Sequence, residues 1–346
     1  MSSLKLWTVI IPTLNSERTI EICLKSIVEQ SIGRENIEIL VVDGGSNDKT
    51  IEIANFYGCK VLDNPHVQQE YGKYIGLINS IGKYVMFLDS DEVLLNKNSL
   101  EEKARFFEKY ENVKMILNSG YISPKGVHPI NDYINSIADP FAKFLYDIDC
   151  SYPRYTESIK KKVKYYEEVS EGIIIDFSKV DFLPLVDMAA SNCIVREFVF
   201  MSLKEDLNNE KIIPLLFYKI VSKGGKVGML KDHPVIHYSA ENIRRYIRKL
   251  RWRVINNVHK PSYRVQGHVS IEEFLPNYLR MKKYLFPIYA ISLVFPILDG
   301  IMLSIRHGKL VFILHPFFTL FITFNILFQY FLKLLGITPK LAAYGK

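Results

Sequence analysis

The amino-acid sequence predicts an α/β fold, with a Rossmann-like, mostly parallel sheet flanked by helices and then a C-terminal hydrophobic helical hairpin suited to a membrane. Three observations predict it. Strand and helix signals alternate through the N-terminal part, acidic residues stand at the ends of those strands, and apolar residues accumulate toward the C-terminus. Alternation of this kind implies right-handed βαβ units and a ligand site at the carboxyl ends of the strands.

Taken in order, Thr8 to Ile11 is a short β-branched run stopped by Pro12. Glu17 to Gln30 reads as a helix that puts Ile20, Cys23, Leu24 and Ile27 on one face, as packing on a sheet requires. Ile37 to Val42 is nearly continuous in apolar residues, the pattern of a strand buried on both faces. Gly44-Gly45-Ser46-Asn47 makes a turn in which Ser46 or Asn47 is expected to cap the next helix. Cys59 to Leu62 is a third strand, Gln69 to Ile81 a helix, and Tyr84 to Leu88 a strand that ends at Asp89-Ser90-Asp91. Asn118 to Leu185 is less regular and reads as an insertion over the sheet, and Ala190 to His237 returns to an α/β pattern.

With 346 residues, 48% hydrophobic and 23% charged, the chain is neither disordered nor an all-membrane transporter. Its net charge of +7 gathers at Lys160, Lys161, Lys162 and Lys164 and again from Arg244 to Arg253. That placement suits phosphate groups and lipid headgroups better than nucleic acid, which is not expected as a partner. Cys23, Cys59, Cys150 and Cys193 form no CxxC pair, so reduced thiols are expected and a zinc site is not. The N-terminus enters its first strand too soon for a signal peptide.

Asp89-Ser90-Asp91 carries the sharpest chemistry. Two carboxylates one residue apart after a buried strand suit Mg²⁺ or Mn²⁺, which take oxygen ligands and complete their shell with substrate phosphate. Such an ion would neutralise a diphosphate leaving group. Alone, so short a string more often describes a solvated turn with helix-capping aspartates.

Longer stretches surround them. Val9-Ile10-Ile11-Pro12-Thr13-Leu14-Asn15-Ser16-Glu17, Val41 to Thr50, and Gly82 to Asp91 resemble, in order and spacing, the three motifs of inverting family 2 glycosyltransferases of the GT-A fold. The resemblance covers residues 7–100 strongly and 190–255 weakly. It implies a donor site lined by Pro12, Thr13, Asn15 and Glu17, with Asp43 accepting a hydrogen bond from the base, and with Asp89 and Ser90 contacting the donor. Lys73 stands where the family has Arg, which keeps a cation for phosphate and loses the bidentate fork. Asp89 and Asp91 are the implied metal ligands, and His237, after Pro234-Val235-Ile236, is a candidate third.

Inversion needs a carboxylate to deprotonate the acceptor hydroxyl. The family takes it from a Glu-Asp pair before a helix and a Gly, and here both Glu210 and Asp206 answer that description. Arg248-Lys249-Leu250-Arg251-Trp252 is reminiscent of the family's Q-x-x-R-W motif, so Arg248, Arg251 and Trp252 are candidates for phosphate or acceptor contact.

The tail holds two apolar segments. Tyr284 to Ile305 is just long enough to cross about 30 Å of hydrocarbon, but it contains Pro287, Pro296 and Asp299. Leu310 to Leu335 is the better span. Two spans would put the basic connector Arg306-His307-Gly308-Lys309 on the far side, against the positive-inside tendency, so a re-entrant or interfacial first segment is the other reading.

The expected organisation is a catalytic domain over 1–255 with an acceptor-side insertion at 119–185, a basic connecting segment at 256–283, and membrane helices with a short tail at 284–346. The expected activity is metal-dependent transfer from a UDP- or GDP-sugar to a polyprenyl-phosphate or lipid-linked glycan, at the cell membrane with the catalytic domain facing the cytoplasm. A noncatalytic nucleotide-sugar-binding membrane protein, or a transferase acting on a soluble or protein acceptor, is the alternative.

Overall fold

The computed structural model describes residues 5–163, 165–179, 192–259 and 275–339. Lys164, the 180–185 end of the expected insertion, the 260–274 part of the expected connector and the 340–346 end of the tail lie outside the described residues. The chain forms two compact units, one of residues 1–121 and 159–237, the other of 122–158 and 238–346.

The first unit is built on a sheet. Its strands are β1 (Trp7–Thr13), β2 (Ile37–Asp43), β3 (Lys60–Asp63), β4 (Tyr84–Phe87), β5 (Glu92–Leu94), β6 (Val113–Leu117), β7 (Tyr121–Ile122), β8 (Tyr166–Val169), β9 (Gly172–Ile175), β10 (Cys193–Val195), β11 (Lys226–Leu230) and β12 (Val235–His237). Nine of them pair in the order β3-β2-β1-β4-β10-β6-β11-β9-β8, and β5-β12-β7 form a small second sheet. Pairing is parallel from β3 through β2 and β1 to β4, and again between β6 and β11. It is antiparallel at β10 and in the β8–β9 hairpin. That hairpin belongs to the stretch expected to lie over the sheet; instead it extends the sheet's edge.

Helices α1 (Ile20–Val28), α2 (Thr50–Phe56), α3 (Gln69–Ile78) and α4 (Ser99–Lys109) follow the strands. Alternation along β1 explains its burial on both faces: Trp7, Val9 and Ile11 join Ile20, Leu24 and Ile27 of α1 and Phe106 and Phe107 of α4 in one core cluster. Ile10 points to the other face, toward α3. A Cβ built on Gly76 would lie 2.3 Å from Ile10 Cγ2, and one on Gly72 would lie 3.0 Å from Pro12 Cβ. Two glycines four residues apart therefore let α3 lie close on β1, and the residue beside them, Lys73, is fully buried. Gly76→Ala is expected to destabilise the protein by about 1–3 kcal/mol through overpacking, read as a lower thermal midpoint; an unchanged midpoint would show that α3 can shift at no cost.

The stretch expected to be irregular holds α5 (Ile130–Ile137), α6 (Pro140–Tyr146) and α7 (Arg154–Val163). Ile130, Tyr133 and Ile137 of α5 are buried at helical spacing, a period that the intervening Asn, Asp and Ser residues obscure. Helices α8 (Arg196–Ser202) and α9 (Leu216–Ser222) complete the first unit.

The second unit contains α5, α6 and the start of α7 with α10 (Ile243–His259), α11 (Asn277–Lys282), α12 (Phe286–Ser292), α13 (Val294–His307) and α14 (His315–Leu334). Its core is aromatic: Phe318 meets Tyr133 at 5.1 Å and Tyr246 at 5.0 Å between ring centroids. The basic stretch from Arg244 to Arg253 lies on a helix with an apolar ridge: Tyr246, Leu250, Val254 and Val258 pack into this core while Arg244, Arg248 and Arg251 stay exposed. Leu310–Leu334 is long and apolar enough to cross a membrane, with mean hydropathy 2.1. The preceding apolar segment is broken, Asn277–Ser292 and Val294–His307 meeting at 87°.

Candidate active site

The carboxyl ends of β1, β2 and β4 carry the residues singled out in the sequence. The loops after β1 and β2 are stitched together: Ser46 Oγ accepts from Asn15 N at 2.7 Å, Asn15 Oδ1 accepts from Asn47 N at 2.8 Å, and Glu17 Oε2 accepts from Lys49 N at 3.2 Å. Asn15 adopts φ +50°, a left-handed conformation that Asn tolerates. Neither Ser46 nor Asn47 caps α2. The loop runs further, and Asp48 Oδ1 accepts from Thr50 N at 3.0 Å, because Ser46 is engaged by Asp43 and Asn15.

Asp43 is buried and takes four hydrogen bonds, from Thr13 Oγ1 (2.9 Å), Ser46 Oγ (2.5 Å), Gly45 N (2.9 Å) and Ser46 N (2.7 Å). These fill the capacity of a carboxylate. Asp43 thus shapes the loop, and for it to meet a nucleobase one of the hydroxyls must turn away. Pro12 pairs with Val42 within the β1–β2 ladder.

At the end of β4, Asp89 Oδ1 lies 2.7 Å from Nζ of the buried Lys73. Ser90 Oγ donates to Ser16 Oγ at 2.9 Å, tying this loop to the one after β1. Asp91 Oδ2 lies 3.8 Å from His237 Nε2. That meeting depends on strand pairing: β12 runs antiparallel to β5 with His237 opposite Glu92, which brings a residue nearly 150 positions away to the acidic motif.

Glu92 is a residue the sequence reading passed over. It is buried and accepts Asp89 N at 2.9 Å. Burial first, then the charge of Asp89, holds its carboxyl well above the usual carboxylate range. The signal available was a third acid directly after the D-x-D string, without any hint that it turns inward.

The turn into β12 is fixed by His233. Its Nε2 lies 2.6 Å from Glu102 Oε2, and Nδ1 lies 3.4 Å from the buried Lys103 Nζ. Glu102 favours the charged imidazole, but burial and the Lys103 ammonium prevail and push its pKa down to about 3. A depressed histidine pKa means that the unfolded chain binds the proton first, so stability present above about pH 6.5 is lost as pH falls toward the folded value. Between pH 7 and 5 that loss is about 2 kcal/mol. His233→Asn is expected to flatten this slope in urea unfolding, and an equal slope in both proteins would rule the histidine out.

Asp206 and Glu210 differ. Asp206 Oδ1 is paired with Lys219 Nζ at 2.9 Å, whereas Glu210 is exposed and approaches His66 Nε2 at 3.8 Å. Tyr74, which donates to Leu207 O at 2.9 Å, has its hydroxyl pKa raised by burial and then by Glu210. Arg248, Arg251 and Trp252 lie on α10 in the second unit, with both arginines exposed and Trp252 half-buried.

The donor set can be tested against a divalent cation. Among the described residues no group of three or more His, Cys, Asp or Glu forms a closed metal cluster. Asp89 is held by Lys73, and Asp91 with His237 beside it are the oxygen and nitrogen donors at this strand end that would ligate an ion. Mg²⁺ in phosphate-handling sites is commonly held by one or two carboxylates plus substrate phosphate and water, and an added imidazole suits Mn²⁺. The residues fit an ion that arrives with a diphosphate.

Residues 8–176 match the family described as Glycosyl transferase family 2. The chain carries a family 2 glycosyltransferase domain. Among curated relatives, the poly(ribitol-phosphate) beta-N-acetylglucosaminyltransferase TarS of Staphylococcus aureus is 29% identical over 35% of this chain and 22% of its own length. A PGL/p-HBAD biosynthesis glycosyltransferase of Mycobacterium bovis is 31% identical over 31% of this chain and 43% of its own. The match therefore spans less than half the length of either relative. A mannosyltransferase of Pyrobaculum calidifontis, PcManGT, solved with GDP-Man and Mn²⁺, aligns over 93% of this chain and 87% of its own, with TM-score 0.50 and 14% identity. The family 2 domain accordingly has a GT-A-like fold, with its motifs at the strand ends just described.

Proposed function

We propose that this chain transfers a sugar, with inversion and with a divalent cation, from a UDP- or GDP-sugar to a lipid-linked acceptor at a membrane. The observation that carries the reading is the pairing of β12 with β5, which sets His237 beside Asp91 while Lys73 holds Asp89. A cation, two carboxylates and an imidazole then face one strand end, the set that a nucleotide diphosphate needs.

Asp91 and His237 would hold the Mg²⁺ or Mn²⁺, whose charge favours departure of the diphosphate. Lys73 keeps Asp89 oriented and cancels its charge near the phosphates. Pro12, Thr13, Asn15, Glu17, Asp43 and Ser90 form the nucleoside side. The acceptor hydroxyl attacks the anomeric carbon as its proton passes to a carboxylate, and the bond to the diphosphate oxygen breaks. Glu210 is the preferred base because its carboxylate is exposed, whereas that of Asp206 is held in the ion pair with Lys219. Arg248, Arg251 and Trp252 are assigned to phosphate on the acceptor side. A lipid acceptor is supported by the large apolar side chains left exposed along α12, α13 and α14, and cytoplasmic orientation of the catalytic domain is part of the same reading.

Membranes bearing the protein, incubated with labelled UDP- and GDP-sugars, are expected to yield label in the extracted lipid. Label only in water-soluble product would sink the lipid acceptor. Donor binding without turnover across acceptors would favour the noncatalytic alternative.

A further inference from the structure

We propose, taking the chain to be membrane-associated as above, that its C-terminal helices enter one leaflet only: α12 and α13 form a re-entrant V, and α14 lies along the membrane with α10 at headgroup level. Both ends of the V are held at one segment, Phe144 to Arg154, with a further tie from its end to Asp132 of α5. At its start, Lys282 Nζ donates to Leu145 O at 3.2 Å and lies 5.1 Å from the Phe144 ring centroid. At its end, Arg306 O accepts from Arg154 Nη2 at 2.8 Å, His307 Nε2 meets Asp149 Oδ2 at 3.1 Å, and Lys309 Nζ meets Asp132 Oδ2 at 3.4 Å. Leu145 and Asp149 are separated by at most about 14 Å of extended chain. A hydrocarbon core is about 30 Å thick, so the two ends of the V cannot lie on opposite faces of a bilayer while these contacts hold.

The bend itself is locked from within. Leu293 adopts φ +56° at the break, and across it Tyr289 Oη donates to Asp299 Oδ2 at 2.5 Å. Tyr289 Oη also lies 3.1 Å from His315 Nε2 on α14, and His315 Nδ1 lies 2.7 Å from Tyr133 Oη. In one consistent tautomer, Tyr133 donates to His315, His315 to Tyr289 and Tyr289 to Asp299. A polar chain of this length joins α5, α12, α13 and α14, and straightening the V into a span would break it inside hydrocarbon.

The same holds for α14. Helix α10 runs beside it from the Tyr246–Phe318 contact to His259 Nε2, 3.1 Å from Gln329 Oε1, and Lys333 Nζ donates to Val258 O at 2.9 Å. That is about 20 Å of helix, and Arg248 and Arg251 are exposed within it. A membrane-crossing α14 would drag these guanidiniums into the hydrocarbon, where charge is costly. Lying along the leaflet instead, α14 can bury Phe317, Phe324, Phe328 and Phe331 in acyl chains. The α10 arginines then meet anionic headgroups, an arrangement typical of interfacial helices.

The test uses the full chain in sealed membrane vesicles from cells that produce it, with Met281→Cys and Arg306→Cys as separate variants and the wild-type chain as background. Both positions are exposed and flank the V. A membrane-impermeant maleimide is expected to treat them alike, labelling both before the vesicles are opened or both only afterwards. Labelling of one before opening and the other only after opening would overturn the proposal, as would recovery of the chain in the soluble fraction. If the two label alike while no sugar enters lipid, the acceptor reading fails and the topology stands.

Discussion

Asp91→Asn is expected to lower sugar transfer by about 10²–10³-fold, the scale seen when one group that stabilises transition-state charge is removed. The residue is nearly isosteric, so the effect should fall on charge rather than shape. Asp89 is already neutralised by Lys73 at 2.7 Å, and Glu92 is buried with its proton retained to well above the usual carboxylate range. Asp91, 26% exposed and beside His237, is the acid assigned here to a divalent cation. Binding gives a readout independent of turnover. Wild-type protein with UDP should bind Mn²⁺ detectably by electron paramagnetic resonance, and the variant should bind it weakly or not at all. Equal Mn²⁺ binding by both, or full wild-type transfer in the presence of a chelator, would remove the metal from the mechanism.

Lys73→Met should cost both stability and transfer. The ammonium is fully buried and faces a carboxylate 19% exposed. Deleting one partner of a buried pair leaves an uncompensated charge, at a cost of about 3–5 kcal/mol when burial is complete and less here, since Asp89 keeps some contact with water. Three acids, Asp89, Asp91 and Glu92, would then crowd one strand end without the Lys73 ammonium. The double variant Lys73→Met/Asp89→Asn is expected to recover most of the stability, because the stranded charge is gone, without recovering transfer. Unfolding midpoints and donor binding measured on the same preparations separate the two effects. If the double variant is no more stable than the single, the ion pair is not what holds this corner.

Much of this was legible in the linear sequence, for a physical reason. Strands β1, β2 and β4 are buried on both faces, so apolar residues dominate them, Thr8 and Glu38 being exceptions, and the polar residue that closes or follows each apolar run marks a strand end. Hence Thr13, Asp43 and Asp89 could be placed at one edge of a sheet without coordinates. The same local logic found α1 and α3. It failed where a polar residue is used inwardly. Asp43 is consumed by Thr13, Gly45 and Ser46; Asp48 rather than Ser46 or Asn47 serves α2; and Glu92 turns into the core. Each outcome depends on which hydrogen-bond partner is nearest in space.

The C-terminal half divides along the same line. Composition alone announces apolar helices and a cluster of arginines, because hydropathy is a sum over residues. Whether those helices stand across a bilayer depends on where their ends are tied, and the ties run from Lys282 to Leu145, from His307 to Asp149 and from α14 to α10. By itself the sequence determined the βαβ alternation, the acidic strand ends and the apolar tail, all of which are periodic or additive properties of neighbouring residues. Only the tertiary structure decided that Lys73 neutralises Asp89, that His237 stands beside Asp91 and that the tail is bent, because those depend on strand register and on contacts between residues distant along the chain.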